Sequence, residues 1–528
     1  MNQFTHVGLY VPGSNTFSLS HEHKFSCDAG FLIPTLMEEV LPGDTFSYSN
    51  SCLARLTPMV NPVMHKIDVS FQTFFVPSRI IWPNFPKFME QTLPDESSPV
   101  APYFADVVIN VGDLGDYMGL PTAQVYDEFT GGLRTQYDVL DKISALPFAA
   151  YQKVFRDWYQ PVNLGPVVDF TPLTDGANTY ANYSSKQRRG WQHDYFTAAS
   201  VSPQAGEPVI IPLGESAPIN YVGQGGGLGS GIWKNYASGA PSGAGDLFTD
   251  VASNTAMGST SGAVLAYDPN GTLRADLSQA TGVDVETLRW SITLQQFLER
   301  KNLGGGRYIE MNLAIWGVKS SDQRLQRAEM VGSSTQPVVI SEVLQTSAST
   351  EDGTPLAEMG GHGLSFGRNG FRKYYAEEHG FFVTLACIRP RTAYSQGLSR
   401  MWTRFAPLDY PVPTFANLGE QAVKNREVYY GGDSADDTDF GYQPRYSEYR
   451  NSPSRISGEF RTTLAPWTMS RIFAQRPSLN AAFVRCTPTE RIFAVTSDST
   501  HSYLLQVNHK LMVSRKLPKY AIPGLKTV

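Results

Sequence analysis

Two-residue alternation of apolar and polar side chains dominates both ends of the chain, and no other feature limits the fold as tightly. "YLLQVNHKLMV" (503–513) sets Tyr503, Leu505, Val507, His509, Leu511 and Val513 against Gln506, Asn508 and Lys510. "KIDVSFQT" (66–73) repeats the pattern, with Ile67, Val69 and Phe71 opposed to Asp68, Ser70 and Gln72. Successive side chains of a strand point to opposite faces, so these segments read as strands with one face on a core. "YIEMNLAIWGV" (308–318) also alternates, through Ile309, Met311, Leu313 and Ile315, and predicts a strand. "PVVISEVLQTS" (337–347) is short and β-branched. "GFFVTLACI" (380–388) is apolar almost throughout, as a strand buried on both faces would be.

Two segments read as helices. "PFAAYQKVFRDWY" (147–159) spaces Phe148, Tyr151, Phe155 and Trp158 helically, with Pro147 at its start and Pro161 beyond its end. "DVETLRWSITLQQFLERK" (284–301) opens at Asp284 as N-cap and stops at Asn302, before a run of glycines. Few helices, many strands and long Gly/Pro loops predict a mainly β chain, a sandwich or jelly roll. No charged linker, internal repeat or hinge divides the 528 residues, so a single scaffold with long loops is expected over residues 1–528. From 214 to 271 the text is dense in Gly, Ser and Ala and reads as a structureless insertion projecting from that scaffold.

"FFVPSRIIWPNF" (74–85) raises a different question, because aromatics and prolines crowd together just where a strand ends. Similar stretches, "QPVNLGPVV", "FAPLDYPVPTF" and "LAPWTMSRIF", lie far apart along the chain. Charged residues make up only 17% and aromatics 12%, against about 25% charge in an average domain. Interface cores are depleted in charge and rich in aromatics, so the chain either covers much of its surface with other chains or is a large all-β enzyme.

Net charge is −6, which argues against a protein devoted wholly to nucleic acid but leaves room for a local basic patch. After Asp498 no acidic residue occurs, while Lys510, Arg515, Lys516, Lys519 and Lys526 follow, so this end could meet phosphates. The four cysteines (Cys27, Cys52, Cys387, Cys486) are far apart and suggest neither a disulfide framework nor zinc, in keeping with a reducing compartment. No signal peptide or membrane-spanning run is expected.

Motifs that could carry chemistry fail on context. "GLSFG" (363–367) matches G-x-S-x-G, but neither flank supplies the strand and helix of a nucleophile elbow, and a Gly-rich turn is expected instead. "GQGGGLGSG" (223–231) lacks the following helix and the Lys-Ser/Thr of a phosphate loop. "HEHKFSC" (21–27) places His21 and His23 on one face of an extended segment, without the further ligands a metal needs. "DSADDTD" (433–439) lacks the glycine and terminal glutamate of a calcium loop and reads as a solvated acidic loop. No catalytic residue, metal or cofactor is assigned. The competing enzyme reading is an all-β hydrolase or carbohydrate-binding protein with a Gly-rich lid and Ser365 as nucleophile.

Taken together, several stretches resemble one family, the major capsid proteins of gokushovirus-type microviruses, small circular single-stranded DNA bacteriophages. They include "EEVLPGDTF" (38–46), "FFVPSRIIW" (74–82), "YQKVFRDWY" (151–159), "HDYFTAA" (193–199) and "LQQFLERKNLGGGRYIE" (294–310). "QRLQRAEMVGSSTQPVVI" (323–340), "EHGFFVTLACIRPR" (378–391), "LSRMW" (398–402) and "YQPRYSEYRNSPSRISGEFR" (442–461) continue the series in the family's order. The resemblance implies one eight-stranded antiparallel jelly roll with long inter-strand loops. It implies sixty copies in a T=1 icosahedral shell, with pentameric and threefold contacts, around a single-stranded DNA genome. Other virion proteins (a DNA-pilot protein, an internal scaffolding protein, a small DNA-binding protein) and a bacterial surface receptor are the implied partners, with assembly in the host cytoplasm and the virion as destination.

On that resemblance the 214–271 insertion is the threefold protrusion that meets the host, although its text aligns with nothing in the family. Trp233 and Tyr236 are the expected attachment residues there. Lys510, Arg515, Lys516 and Lys519 are the expected interior DNA contacts. Phe74, Trp82, Phe85 and Trp467 are the expected inter-subunit contacts.

Overall fold

The computed structural model describes residues 13–90, 99–164, 170–207, 209, 285–305, 307–344, 359–370, 372–495 and 500–520, together with short paired strands within 219–275. Two compact units result, Met1–Ala205 with Glu299–Val528, and Gly206–Leu298.

The first unit is built on two antiparallel sheets. Eleven strands form them among the described residues: β1 (Asn15–Ser18), β2 (His21–Cys27), β3 (Ile33–Val40), β4 (Thr45–Leu56), β5 (Ile67–Pro77), β6 (Glu329–Pro337), β7 (Val339–Leu344), β8 (Met359–Arg368), β9 (Arg372–Tyr375), β10 (Gly380–Pro390) and β11 (Tyr503–Arg515). One sheet has seven strands, in the order β1-β11-β4-β8-β7, with β2 also pairing β11 and β9 also pairing β4. The other has four, in the order β6-β5-β10-β3. The chain changes sheet at each of the steps β2 to β3, β3 to β4 and β4 to β5, and its last strand closes beside its first. Taken as eight strands, the orders β2-β11-β4-β8 and β3-β10-β5-β6 are those of a jelly roll. Three further strands, β1, β7 and β9, enlarge the first sheet from four strands to seven, giving eleven in the two sheets where eight were expected.

The sandwich interior follows the alternation read from the sequence. Ile67, Val69 and Phe71 of β5 meet Cys52, Ala54 and Val507 from the opposite sheet, and Phe46 stacks on Phe382 at 4.8 Å. β11 alternates buried and more exposed residues from Tyr503 to Val513. The outer face of the four-stranded sheet carries a second core. Helix α1 (Leu146–Val154) lies there, extended by a π-helical turn over Phe155–Tyr159. It buries Phe148, Ala149, Ala150, Tyr151 and Val154 against Phe74 and Val76 of β5 and Val383 and Leu385 of β10. Tyr151 Oη donates to Leu32 O at 2.9 Å and Trp158 Nε1 to Ala328 O at 2.8 Å, so polar tips find partners while ring bodies pack. With both faces covered, β10 is buried at every position but Arg389.

Helix α2 (Val285–Gly304) forms where the spacing placed it. Residues 308–318 do not form the expected strand. Tyr308–Trp316 is helix α3, started by hydrogen bonds from the Arg307 amide and guanidinium to the Glu310 carboxylate and stopped by Gly317 at φ +67°. Strict alternation over so few apolar residues also fits a helix that buries none of them fully, and the two end signals decide the outcome.

In the second unit three short antiparallel pairs are nested: Ile219–Tyr221 with Leu273–Ala275, Trp233–Asn235 with Leu265–Tyr267, and Leu247–Asp250 with Thr255–Ser259. The Gly-rich text therefore contains paired backbone where a structureless loop was expected.

Candidate functional site

Phe74 and Trp82 do not reach a neighbour. Phe74 is wholly buried between Trp158, at 5.7 Å between ring centroids, and Tyr159, at 6.1 Å. Trp82 is wholly buried on Phe88, at 5.3 Å, and its Nε1 donates to Asp175 Oδ1 at 2.7 Å. The expectation of inter-subunit contact fails for both, because residues 146–159 and 175 return to cover the end of β5. Phe85 is half-buried against Trp82 and His379. Trp467 is half-buried at the end of a 3-10 turn, its carbonyl accepting from the Met64 amide at 2.9 Å.

One run of exposed apolar side chains lies elsewhere, in residues 400–418. That segment is an arm of three 3-10 turns, Arg400–Thr403, Pro407–Asp409 and Pro413–Phe415. Trp402 is 64%, Phe405 88% and Leu408 72% exposed. The arm is nevertheless tied down. Asp409 Oδ2 accepts the amides of Phe405 and Ala406 at 2.9 and 2.8 Å, which lowers its carboxyl below the ordinary range. Arg404 pairs with Glu448 at 2.8 Å, and Arg400 donates to Ala422 O at 2.9 Å. Prolines preset the backbone of two turns. An apolar surface held rigid in this way loses little conformational freedom when covered.

The basic carboxy-terminal residues divide into two kinds. Lys510, Lys516 and Lys519 are exposed. Arg515 turns inward, with Nε 2.9 Å from Asp44 Oδ2 and a second nitrogen donating to Glu39 O at 2.7 Å. Its charge is spent on a carboxylate buried in the same chain, so the expected DNA contact is corrected to an internal tie. Trp233 lies on the middle nested pair of the second unit, opposite Tyr267; its side chain, all of Tyr236 and the 223–231 glycine run lie outside the described residues.

The candidate nucleophile is held by backbone and amide partners. Ser365 sits within β8 rather than in a turn, donating to Pro337 O at 2.7 Å and accepting from Gln336 at 3.0 Å. The flanking glycines serve packing: a Cβ on Gly363 would stand 2.9 Å from Leu56 Cδ2. His21, His23 and His509 do converge. His21 Nδ1 meets Leu19 O at 2.9 Å, His23 Nδ1 meets Thr35 O at 3.2 Å, and His509 Nδ1 meets the Tyr48 hydroxyl at 3.2 Å. Burial, with the nearby His21 and His23, pushes the His509 pKa down to about 3. Among the described residues no group of His, Cys, Asp or Glu is placed to hold a metal, and no helix is long and apolar enough to cross a membrane. The four thiols are unpaired and buried, and burial pushes the Cys52 pKa up to about 12.

The acidic loop is not simply solvated. Arg476 bridges Asp433 and Asp436 at 2.7 and 2.6 Å, Arg426 pairs with Asp437, and Lys424 pairs with Asp439 at 2.6 Å. Asp436 also accepts the amides of Gly431 and Gly432.

Residues missed by sequence reasoning stand on the outer face of the seven-stranded sheet. Arg55, Phe366, Arg368 and Lys373 all point outward and are exposed there. Alternation in "SCLARL" and "GLSFGR" could have located Arg55, Phe366 and Arg368 once each strand's buried face was fixed.

Comparison with known proteins places residues 11–525 within a family described as "Capsid protein (F protein)". Capsid protein VP1 of Bdellovibrio phage phiMH2K is 36% identical over 509 aligned positions, covering 93% of this chain and 92% of the relative. VP1 of Chlamydia phage 1 is 31% identical, covering 100% and 98%. VP1 of Spiroplasma virus 4 is 29% identical, covering 99% and 97%.

Proposed function

Because the chain belongs to the phage capsid (F protein) family, with VP1 capsid proteins of gokushovirus-type microviruses among its relatives, we propose that sixty copies of it close a T=1 icosahedral shell around a circular single-stranded DNA genome. The chain is a structural subunit of the virion and not an enzyme. Full-length similarity to capsid proteins carries this reading, and the tied-down apolar arm at 400–418 supports it. Closed symmetric assembly repeats each contact many times, so individually weak contacts suffice. Trp402, Phe405 and Leu408 replace Phe74 and Trp82 as the inter-subunit contacts, with Phe85 and Trp467 retained as lesser ones.

Within the same reading the 214–271 insertion is the threefold protrusion used for host attachment, with Trp233 and Tyr236 as contact residues. Nested strand pairing across 219–275 suits a segment that must project and hold a shape. Lys510, Lys516 and Lys519 face packaged DNA. The DNA-pilot, internal scaffolding and small DNA-binding proteins are the further virion partners, and assembly takes place in the bacterial cytoplasm.

Electron microscopy of particles assembled with the scaffolding protein tests the shell, and failure to obtain closed sixty-copy particles under any condition would contradict it. Shortening the insertion should leave particles intact and reduce adsorption to host cells. Unchanged infectivity would remove the attachment role while leaving the shell untouched.

A further inference from the structure

The outer face of the seven-stranded sheet differs in charge from the rest of the molecule. Residues directly opposite one another in an antiparallel pair share a face, and the register therefore fixes which side chains stand outward together. Lys510 lies opposite Ser49, Asn508 opposite Ser51, Gln506 opposite Leu53, and Leu504 opposite Arg55. On the other side of β4, Arg368 lies opposite Ser51, Phe366 opposite Leu53 and Lys373 opposite Ser47.

Five cations thus share this face: Lys24, Arg55, Arg368, Lys373 and Lys510. Against them stands one carboxylate within the same register, Glu22, which is 3.5 Å from Lys24. Five minus one leaves the face at +4, on a chain whose net charge is −6, so the remainder of the chain carries −10. Arg55, Arg368 and Lys373 have no ion-pair partner among the described residues.

Projected on β4, the cations fall at the levels of residues 47 (Lys373), 49 (Lys510), 51 (Arg368), 53 (Lys24, through Gln506) and 55 (Arg55). At about 3.4 Å per residue, this is a track about 27 Å long. Between its cations lie the hydroxyl and amide side chains of Ser51, Gln506 and Asn508, whereas Ser49 is buried. Beside them Phe366 is 76% exposed and Leu504 48% exposed. A second protein core would require a mainly apolar face here. A track of cations with an exposed aromatic ring and hydrogen-bonding side chains has instead the chemistry of a single-strand platform, where phosphates meet charge and bases lie on flat apolar groups.

We propose that this sheet face is the subunit's binding platform for single-stranded nucleic acid, with phosphates at Arg55, Arg368, Lys373 and Lys510 and bases over Phe366 and Leu504. The inference rests on the reading that the shell encloses single-stranded DNA, and it assigns the lumen side of the subunit to the outer face of the seven-stranded sheet.

The test titrates the full-length subunit with a fluorescein-labelled oligothymidylate at several salt concentrations. Single-stranded binding loses about 0.7 in the slope of log K against log salt for each phosphate contact removed. The triple variant Arg55→Gln, Arg368→Gln, Lys373→Gln should therefore lower the slope by about 2, with an unchanged melting temperature because all three side chains project outward. Phe366→Ala should weaken binding on the order of tenfold, as loss of one stacked base does. An unchanged slope and affinity in both variants would overturn the proposal. If Lys516→Gln with Lys519→Gln lowers the slope while the triple variant does not, DNA meets the carboxy-terminal end and the sheet face is excluded. If neither set alters binding, the interior DNA reading fails as well. A triple variant that binds normally but cannot assemble would make the face a contact between copies, again against the proposal. Ultraviolet cross-linking of intact particles covers the case of a variant that does not fold: cross-linked peptides should contain Phe366 or Leu504, and cross-links confined to other peptides would overturn the inference.

Discussion

The two sheets of the sandwich share one interior and have opposite exteriors. Outside the four-stranded sheet, α1 and the residues around Trp82 build a second core on Phe74, Val76, Val383 and Leu385. Outside the seven-stranded sheet no second core is built on β4, β8 and β11 among the described residues, and their outward side chains mix cations, hydroxyls and amides with exposed Phe366, Leu364 and Leu504. One exterior holds the subunit together. The other is the face to which the nucleic-acid proposal applies. Apolar residues near a strand end are therefore ambiguous in sequence: those of 74–82 were claimed by the chain itself, whereas those of 400–418 were not.

The largest expected effect tests the covered side. Trp82→Ala removes a wholly buried indole and one of the two side chains that donate to Asp175, Asn84 being the other, and should cost about 3–5 kcal/mol in chemical denaturation. A loss below about 1 kcal/mol would mean that Trp82 is held by another subunit after all.

Next comes acid sensitivity inside the sandwich. Burial holds the folded pKa of His509 at about 3, below the 6.5 of the exposed group, so between these values the unfolded chain binds the extra proton. Stability is fully present above pH 6.5 and should fall by up to about 1.4 kcal/mol per unit as pH drops toward 3. His23, whose pKa burial also lowers, adds in the same sense. His509→Gln should flatten the acid limb of the stability profile, and an unchanged limb would assign it to other groups.

A matched pair then separates inward from outward cations on one strand. Arg515→Gln leaves the buried Asp44 without its ion pair and should cost about 1–3 kcal/mol. Lys510→Gln, on the exposed face, should stay within about 0.5 kcal/mol. Equal effects would erase the distinction.

The smallest stability change belongs to the arm. Phe405→Ser with Leu408→Ser should leave monomer stability within about 0.5 kcal/mol yet block assembly, as read by sedimentation. Normal particle yield would remove the arm from the subunit contacts.

Much of this contrast was legible in the sequence. The unbroken apolar run of 380–388 marked a strand covered twice, and the alternation of 503–513 marked one covered once. Helix α1 was legible from Phe148, Tyr151 and Trp158, but the face it would cover was not, since β5 lies some seventy residues earlier. Residues 308–316 misled because alternation was read without the Arg307–Glu310 and Gly317 end signals. The outward cations at 55, 368, 373 and 510 form no cluster in the text, and only strand register assembles them. Arg515 looked like its lysine neighbours until the fold brought Asp44 beside it.

A reconstruction of the assembled particle at side-chain resolution tests the division between the two exteriors most directly. Lys510, Arg55, Arg368 and Phe366 should line the lumen, with Phe405 and Leu408 at a boundary between copies and Trp82 inside each subunit. A shell whose seven-stranded sheets face the exterior, or whose boundaries run through Phe74 and Trp82, would contradict it.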